Sequence, residues 1–396
     1  MPQEDRLMTA GSPFIDMPQE LIEVIADHLP LESLLRLRAT NKRLWNLLTP
    51  RINEYVKKCF PQQVVAGSRH TLALTEAGAL YAWGKNDEGQ LGIGNTAPQS
   101  APVRVVRFDG EPIKQLVAGY DHTLALTEAG ALYAWGSNRD GELGIGNRER
   151  RSAPVRVEGF DGGAIKQIVV GYDHTLAFTE GGALYAWGRN DEGQLGIGNT
   201  ENQSAPVRVE GYDGGAIKQL VVGGYHTLAL TEAGALYAWG RNRFGQLGIG
   251  NTENQSAPVR VEGFGGGAIK QIVAGSRHTL ALTEGGALYA WGLNRDGELG
   301  IGNTAPQSAP VRVKGFDGGA IKQIVAGASH TLALTEAGAL YAWGENHLGQ
   351  LGIGNTEDQS APVRVKCFDA EPIKQIVAGY DYTLALTEAG ALYAWG

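Results

Sequence analysis

Cysteine is almost missing from this chain: among 396 residues there are only Cys59 and Cys367. A disulfide framework is excluded, and a reducing compartment, cytoplasmic or nuclear, is expected. No apolar run approaches the roughly 18 residues a membrane-spanning helix needs. Glu4 and Asp5 stand where a signal peptide builds its apolar segment, so neither secretion by that route nor membrane spanning is expected. Basic charge is also short, with 34 Lys and Arg against 42 Asp and Glu, net −8. The two signs balance over residues 1–61, so the whole acidic excess falls on the remainder. Phosphate binding needs a basic surface, and nucleic acid is not expected as the partner. Residues 1–61 hold a single glycine, Gly11, while the other 56 of the 57 follow. Long helices cannot form at such a density. With 43 % hydrophobic residues the later part still has the means to build a core, so its glycines serve dense turns.

What is present is a repeat. The segment G-x-x-H-T-L-A-L-T-E-A-G-A-L-Y-A-W-G returns at an interval of 52, marked by Trp83, Trp135, Trp187, Trp239, Trp291, Trp343 and Trp395. His70, His122, His174, His226, His278 and His330 mark six copies, and Tyr382 takes that place in the seventh. Each unit reads as four short strands: A (I-K-Q-I-V-A-G), B (H-T-L-A-L-T), C (A-L-Y-A-W-G) and, after a Gly/Asn-rich loop, D (A-P-V-R-V). In strand C, Leu80 and Ala82 face one way while Tyr81 and Trp83 face the other, so neither face is polar. Such sheets must be covered on both sides, as in a radial propeller, and seven units give seven blades.

The motif G-x-x-H-T-L-A-L-T-E-x-G-A-L-Y-A-W-G-x-N-x-x-G-Q-L-G-I-G-N resembles the regulator of chromosome condensation repeat, over residues 63–396. The resemblance implies the same fold: mainly β, a seven-bladed propeller of 52-residue repeats spanning residues 51–396. The seventh copy runs only to its strand C. Tyr55-Val56-Lys57-Lys58-Cys59-Phe60 echoes Val363-Arg364-Val365-Lys366-Cys367-Phe368, so residues 53–60 are expected as the closing outer strand of the last blade.

Behind a flexible start (1–16), residues 17–50 carry apolar residues at helical spacing. Leu21, Ile22, Ile25 and Leu29 share one face of a helix opened by Pro18; Leu34, Leu35 and Leu37 form a second cluster, and Leu44, Trp45 and Leu48 a third. The order of these residues resembles an F-box. Met17 stands where that family usually has Leu, and the tryptophan comes one residue late, at Trp45. The resemblance implies docking of Pro18, Leu21, Ile22, Ile25, Leu29, Leu34 and Leu35 onto the S-phase kinase-associated adaptor of a cullin-RING ubiquitin ligase.

The repeated histidines begin strand B, one strand out from the channel, too far apart to ligate one ion, and are read as blade-stabilising hydrogen bonders. G-Q-L-G-I-G is followed by no helix and is read as a turn. No nucleophile, paired-carboxylate, metal or cofactor site stands out, and no enzyme activity is expected. Variation among the copies gathers on the side of the A–B turns and C–D loops. The A–B turns read Ser68-Arg69, Tyr120-Asp121, Tyr172-Asp173, Gly224-Tyr225, Ser276-Arg277, Ala328-Ser329 and Tyr380-Asp381. Arg243 and Phe244 stand out among the C–D loops. Exposed Tyr, Arg and Phe suit a protein-binding face. Arg69, Tyr120, Asp121, Tyr172, Asp173, Tyr225, Arg243, Phe244, Arg277, Tyr380 and Asp381 are therefore candidates for capturing a protein substrate, with the tyrosines substantially exposed around the channel mouth. The reading is a non-catalytic substrate receptor of a cullin-RING ligase. A small-GTPase exchange factor or a general interaction scaffold is the alternative. Ultraviolet sensing, as in the related plant photoreceptor, is disfavoured because no A–B turn carries a tryptophan.

Overall fold

The computed structural model describes residues 61–396, apart from 106–107, 109–110, 161–162, 211–215, 266, 316–319, 369–371 and 390. Gln63–Leu74 with Gly78–Gly396 make the larger of two compact units. The expected N-terminal stretch, F-box-like helices and closing strand lie outside the described residues. In the larger unit the strands form seven antiparallel sheets, six of four strands and a last one of three among the described residues. The first blade runs A (Pro61–Ala66), B (His70–Thr75), C (Leu80–Gly84) and D (Gln99–Arg104), and this order recurs in the blades that follow. The chain forms the seven-bladed propeller that its repeat implies.

The physics of each strand follows from its place. Strand B, H-T-L-A-L-T, is buried at every position in the second blade, and strand C there, L-Y-A-W-G, is equally buried. Both faces are covered because the core lies between blades: Leu124, Leu126 and Leu143 of the second pack against Ile168, Ala177 and Trp187 of the third. Strand D holds a proline in each copy, such as Pro102 and Pro206, which cannot donate to a ladder and so suits the outer edge.

Adjacent blades are joined by a repeated set of hydrogen bonds. The carbonyl of Gln90, in the first C–D loop, accepts from Trp135 Nε1 and from Thr123 Oγ1 of the next blade, both at 2.9 Å. The same pair falls on Glu142, Gln194, Gln246, Glu298 and Gln350. Asn86 holds that loop in shape, donating to Asn95 O and Ala97 O and accepting from Leu91 N, each at 3.0 Å. G-Q-L-G-I-G is thus a turn and an inter-blade connector.

Four of the six histidines make the expected inter-blade bond, whereas His122 and His174 are buried with no partner at either ring nitrogen. His70 Nε2 lies 3.0 Å from Thr123 Oγ1, and His226, His278 and His330 repeat the contact with Thr279, Thr331 and Thr383. The threonine proton is committed to the Gln90-type carbonyl, so Nε2 carries the imidazole proton and Nδ1 is bare. Nδ1 finds no donor, for the ring lies under Gly67, where an added Cβ would stand 2.5 Å from it. In the seventh blade the longer Tyr382 crosses the seam to the first, its hydroxyl 3.0 Å from His70 O and 3.2 Å from Gly67 O. Nearer the axis, the Gln115 amide donates to Ile168 O at 2.7 Å and accepts from Ile168 N at 2.9 Å, joining neighbouring A strands that form no ladder. In the last blade Leu392 and Tyr393 are 37 % and 40 % exposed, whereas Leu132 and Tyr133 of the second are 1 % and 6 %. No helix among the described residues is long and apolar enough to cross a membrane.

Burial holds the six histidines neutral, with pKa values lowered to about 3 for His70, His174, His226 and His278 and about 4 for His122 and His330. Unfolding restores the ordinary value near 6.5, so their contribution is complete above pH 6.5 and is lost as pH falls toward 4. Asp173 and Glu298, raised by burial to about 6 and about 7, work in the opposite sense. Near pH 5 the histidines outnumber the opposing carboxylates, so unfolding should take up protons on balance and stability should fall as the pH is lowered. Urea midpoints measured from pH 7 to 4.5 check this; a midpoint that does not move would show the histidines already charged in the folded state.

Candidate protein-binding face

The A–B turns and C–D loops emerge together: Lys85 N donates to Arg69 O, Ser137 N to Asp121 O and Arg241 N to Tyr225 O, each at 2.8 Å. At the centre, the first residues of the A–B turns converge on the axis. Tyr120 N donates to Tyr172 O, Tyr172 N to Gly224 O, Gly224 N to Ser276 O, Ser276 N to Ala328 O and Ala328 N to Tyr380 O, at 3.1–3.2 Å. Inside this backbone arc the rings of Tyr120, Tyr172 and Tyr380 stack on one another, with centroids 5.2–5.9 Å apart. They surround a cavity of about 120 Å³.

This placement corrects the expected exposure. Tyr120, Tyr172 and Tyr380 are half-buried, and the Tyr172 hydroxyl is buried without a hydrogen-bond partner. Burial accordingly raises its pKa. Small residues at the same position are accommodated because all seven positions share one space: three rings occupy part of it, Ser68, Gly224, Ser276 and Ala328 make room for them, and the cavity remains between. A Cβ on Gly224 would come within 2.9 Å of the Tyr172 ring.

The second turn residues lie around this hub. Asp121 accepts from Lys85 Nζ at 3.0 Å and from Gln90 Nε2 at 2.8 Å. Asp173, its pKa raised by burial and then by Glu142, faces Arg189 at 3.5 Å. Tyr225 packs edge-on to Tyr172 beneath the guanidinium groups of Arg189 and Arg241. Arg277 and Arg295 lie over Phe244, at 5.7 and 5.6 Å from its centroid. Arg243 reaches Glu192 at 3.4 Å. Arg69 is exposed, and Asp381 is half-buried. Tyr225, Arg243, Phe244 and Arg277 thus meet in one sector, whereas Tyr120, Tyr172 and Tyr380 belong to the hub.

Sequence reasoning passed over the residue that follows W-G in strand C: Lys85, Ser137, Arg189, Arg241, Leu293 and Glu345. It touches the A–B turn and sets the local charge, and its variability among otherwise equal copies was the available signal. In one copy it also bonds the buried Gln/Glu of the C–D loop, whereas the Nε2 atoms of Gln194, Gln246 and Gln350 have no partner. Glu142 Oε1 accepts from Ser137 Oγ at 2.6 Å, but the corresponding residue beside Glu298 is Leu293, and Glu298 Oε1 has no partner.

Residues 38–317 match the model of the RCC1-like domain, and residues 321–350 and 337–386 match models of the RCC1 repeat. The chain belongs to the RCC1-like family. It is 38 % identical over 334 residues to the ultraviolet-B receptor UVR8 of Arabidopsis thaliana, covering 84 % of this chain and 76 % of that protein. It is 33 % identical over 329 residues to the human E3 ubiquitin-protein ligase HERC2, covering 82 % of this chain but only 7 % of the relative. Among solved structures, yeast RCC1 (Prp20) bound to Kap60 matches with a TM-score of 0.73 at 27 % identity, over 83 % of this chain and 81 % of the other. Human WBSCR16 matches with a TM-score of 0.74 at 27 % identity, over 82 % and 86 %. Five tryptophans of this RCC1-like propeller, Trp135 to Trp343 at the 52-residue interval, are wholly buried in strand C.

If the hub rings carry packing energy, Tyr172→Ala should lower unfolding free energy by about 2–4 kcal/mol, the range for emptying a large aromatic site. Equilibrium urea denaturation checks it, and a change below about 0.5 kcal/mol would return these rings to the status of surface residues.

Proposed function

We propose that this chain is a non-catalytic recognition subunit, whose RCC1-like propeller holds a protein on the A–B/C–D face while residues 17–50 dock on the S-phase kinase-associated adaptor of a cullin-RING ubiquitin ligase. The observation that carries the reading of the face is the half-buried Phe244 beneath Arg277 and Arg295, with Tyr225 and Arg241 alongside. Aromatic and arginine side chains ordered against one another are the types that anchor protein interfaces, and they lose little freedom on binding. Support for the ligase half is the F-box-like order of apolar residues from Pro18 to Leu35.

The two halves are tested separately. Leu21→Asp with Ile25→Asp puts charges on the proposed adaptor-binding face and should abolish co-purification with the adaptor while the propeller's circular dichroism is unchanged. Arg243→Ala, Phe244→Ala and Arg277→Ala together should leave adaptor binding intact and reduce capture of a protein from eukaryotic lysate at least tenfold, since a few anchors carry most of an interface's energy. Retained adaptor binding by the first variant, or retained capture by the second, sinks the corresponding half. Capture of a small GTPase whose nucleotide release is accelerated would replace the receptor reading with the exchange-factor one.

A further inference from the structure

The repeat sets a charge pattern for this face, and the sector around Phe244 breaks it twice. In the C–D loops an arginine of one blade meets a glutamate of the blade before: Arg139 pairs with Glu88, and Arg243 lies 3.4 Å from Glu192. Arg295 holds the same place in the fifth blade. The residue at the position of Glu88 and Glu192 is there Phe244, and the guanidinium lies over its ring instead. The second break concerns the residue after W-G, which faces the A–B turn of the next blade: Lys85 reaches Asp121 at 3.0 Å. In the fourth blade Arg241 takes the place of Lys85, and Arg277 stands where the carboxylate would. Burial, and with it the charges of Arg277 and Arg243, lowers the Arg241 pKa against the pull of Glu192.

The side chains of Arg277 and Arg295 have no hydrogen bond or ion pair among the described residues, and Glu192 is shared between Arg241 and Arg243. Four guanidinium groups thus gather on the rings of Phe244 and Tyr225. Set against the carboxylates of Glu192 and Asp296, they leave two positive charges. Such a cluster costs stability unless an anion joins it. The sector is also narrow. Asp173 and Asp191 bound it towards the third blade, and Asp296 with Glu345 towards the sixth. A nucleic-acid strand or a run of acidic residues would carry its further charges onto those carboxylates, whereas a single dianion would not. A phosphorylated serine or threonine brings about −1.5 to −2 charges at neutral pH and three acceptor oxygens, which planar guanidinium groups can grip two bonds at a time.

We propose that Arg241, Arg243, Arg277 and Arg295, set on Phe244 and Tyr225, bind a phosphorylated serine or threonine of the partner protein. Phe244 orders Arg277 and Arg295 without neutralising them, which is what a carboxylate at its position would do. The inference names the class of protein captured at the face already described, and it rests on that reading.

The test uses the full chain, immobilised, and a peptide library with a central phosphoserine and randomised neighbours, against the same library carrying serine and one carrying glutamate. Retention of the phosphoserine library is expected at least tenfold above that of the serine library and several-fold above that of the glutamate library. Phe244→Glu restores the carboxylate found at Glu88 and Glu192. It should bring phosphoserine retention down to the serine level while its urea midpoint stays at or above the parent's, so lost binding cannot be laid to unfolding. Arg277→Gln with Arg295→Gln should lose the same retention, and Arg139→Gln, outside the sector, should change nothing. Equal retention of phosphoserine and glutamate peptides would overturn the proposal, as would equal retention by the parent and both sector variants. Single-stranded oligothymidylate that binds more tightly than the phosphoserine library, and is lost in the same variants, would make the sector a nucleic-acid site and overturn it too. If the libraries show no preference while Arg243→Ala, Phe244→Ala and Arg277→Ala together still lose capture from lysate, the phosphate inference falls and the receptor reading stands.

Discussion

One backbone carbonyl in each C–D loop, that of Gln90 and its equivalents, is the constraint on which the propeller depends. It takes an indole N–H and a threonine hydroxyl from the next blade. Each bond contributes about 1 kcal/mol when made, yet a buried group left without its partner costs more than that. The loop must therefore keep its shape, which is why Asn86 ties it from inside and why the tryptophan lies flat beneath it. Threonine, once committed to that carbonyl, has only its lone pairs left for histidine. The tautomer of the imidazole follows from a bond in which histidine takes no part, and its neutrality from burial.

The carbonyl network repeats from blade to blade, the histidine–threonine bond is missing at His122 and His174, and one seam departs further. Between the seventh and first blades, Tyr382 replaces a histidine–threonine bond with a phenol reaching two carbonyls. The buried cluster there is small, built on Val64, Ala73 and Leu384, and Trp83 is only half-buried where Trp135, Trp187, Trp239, Trp291 and Trp343 are sealed. Among the described residues the seventh blade offers Trp83 no carbonyl of the Gln90 kind. Identical local sequence thus gives different burial, because a strand's surroundings come from its neighbouring blade.

The blades were legible because their signals are short-range and repeated. Strand B reads H-T-L-A-L-T in nearly every copy, and a histidine that opens each of them is more economically explained by packing than by chemistry. The hub was not legible, because it exists only when seven turns 52 residues apart meet. Treated as seven separate turns, Tyr172 and Gly224 look like unrelated surface choices; on the axis they are complementary halves of one contact.

Near-identical units of equal length are prone to gain or lose a copy when their coding repeats recombine. The carbonyl bonds between successive blades would not register such a change, since they recur at each junction from the first blade to the seventh. The hub would. Its three rings and four small residues fill a space whose width is set by how many turns enclose it. An eighth blade would leave those rings slack, and a sixfold ring would force them together. The tyrosines on the axis therefore act as the molecule's gauge of its own symmetry, the one place where the fold measures seven.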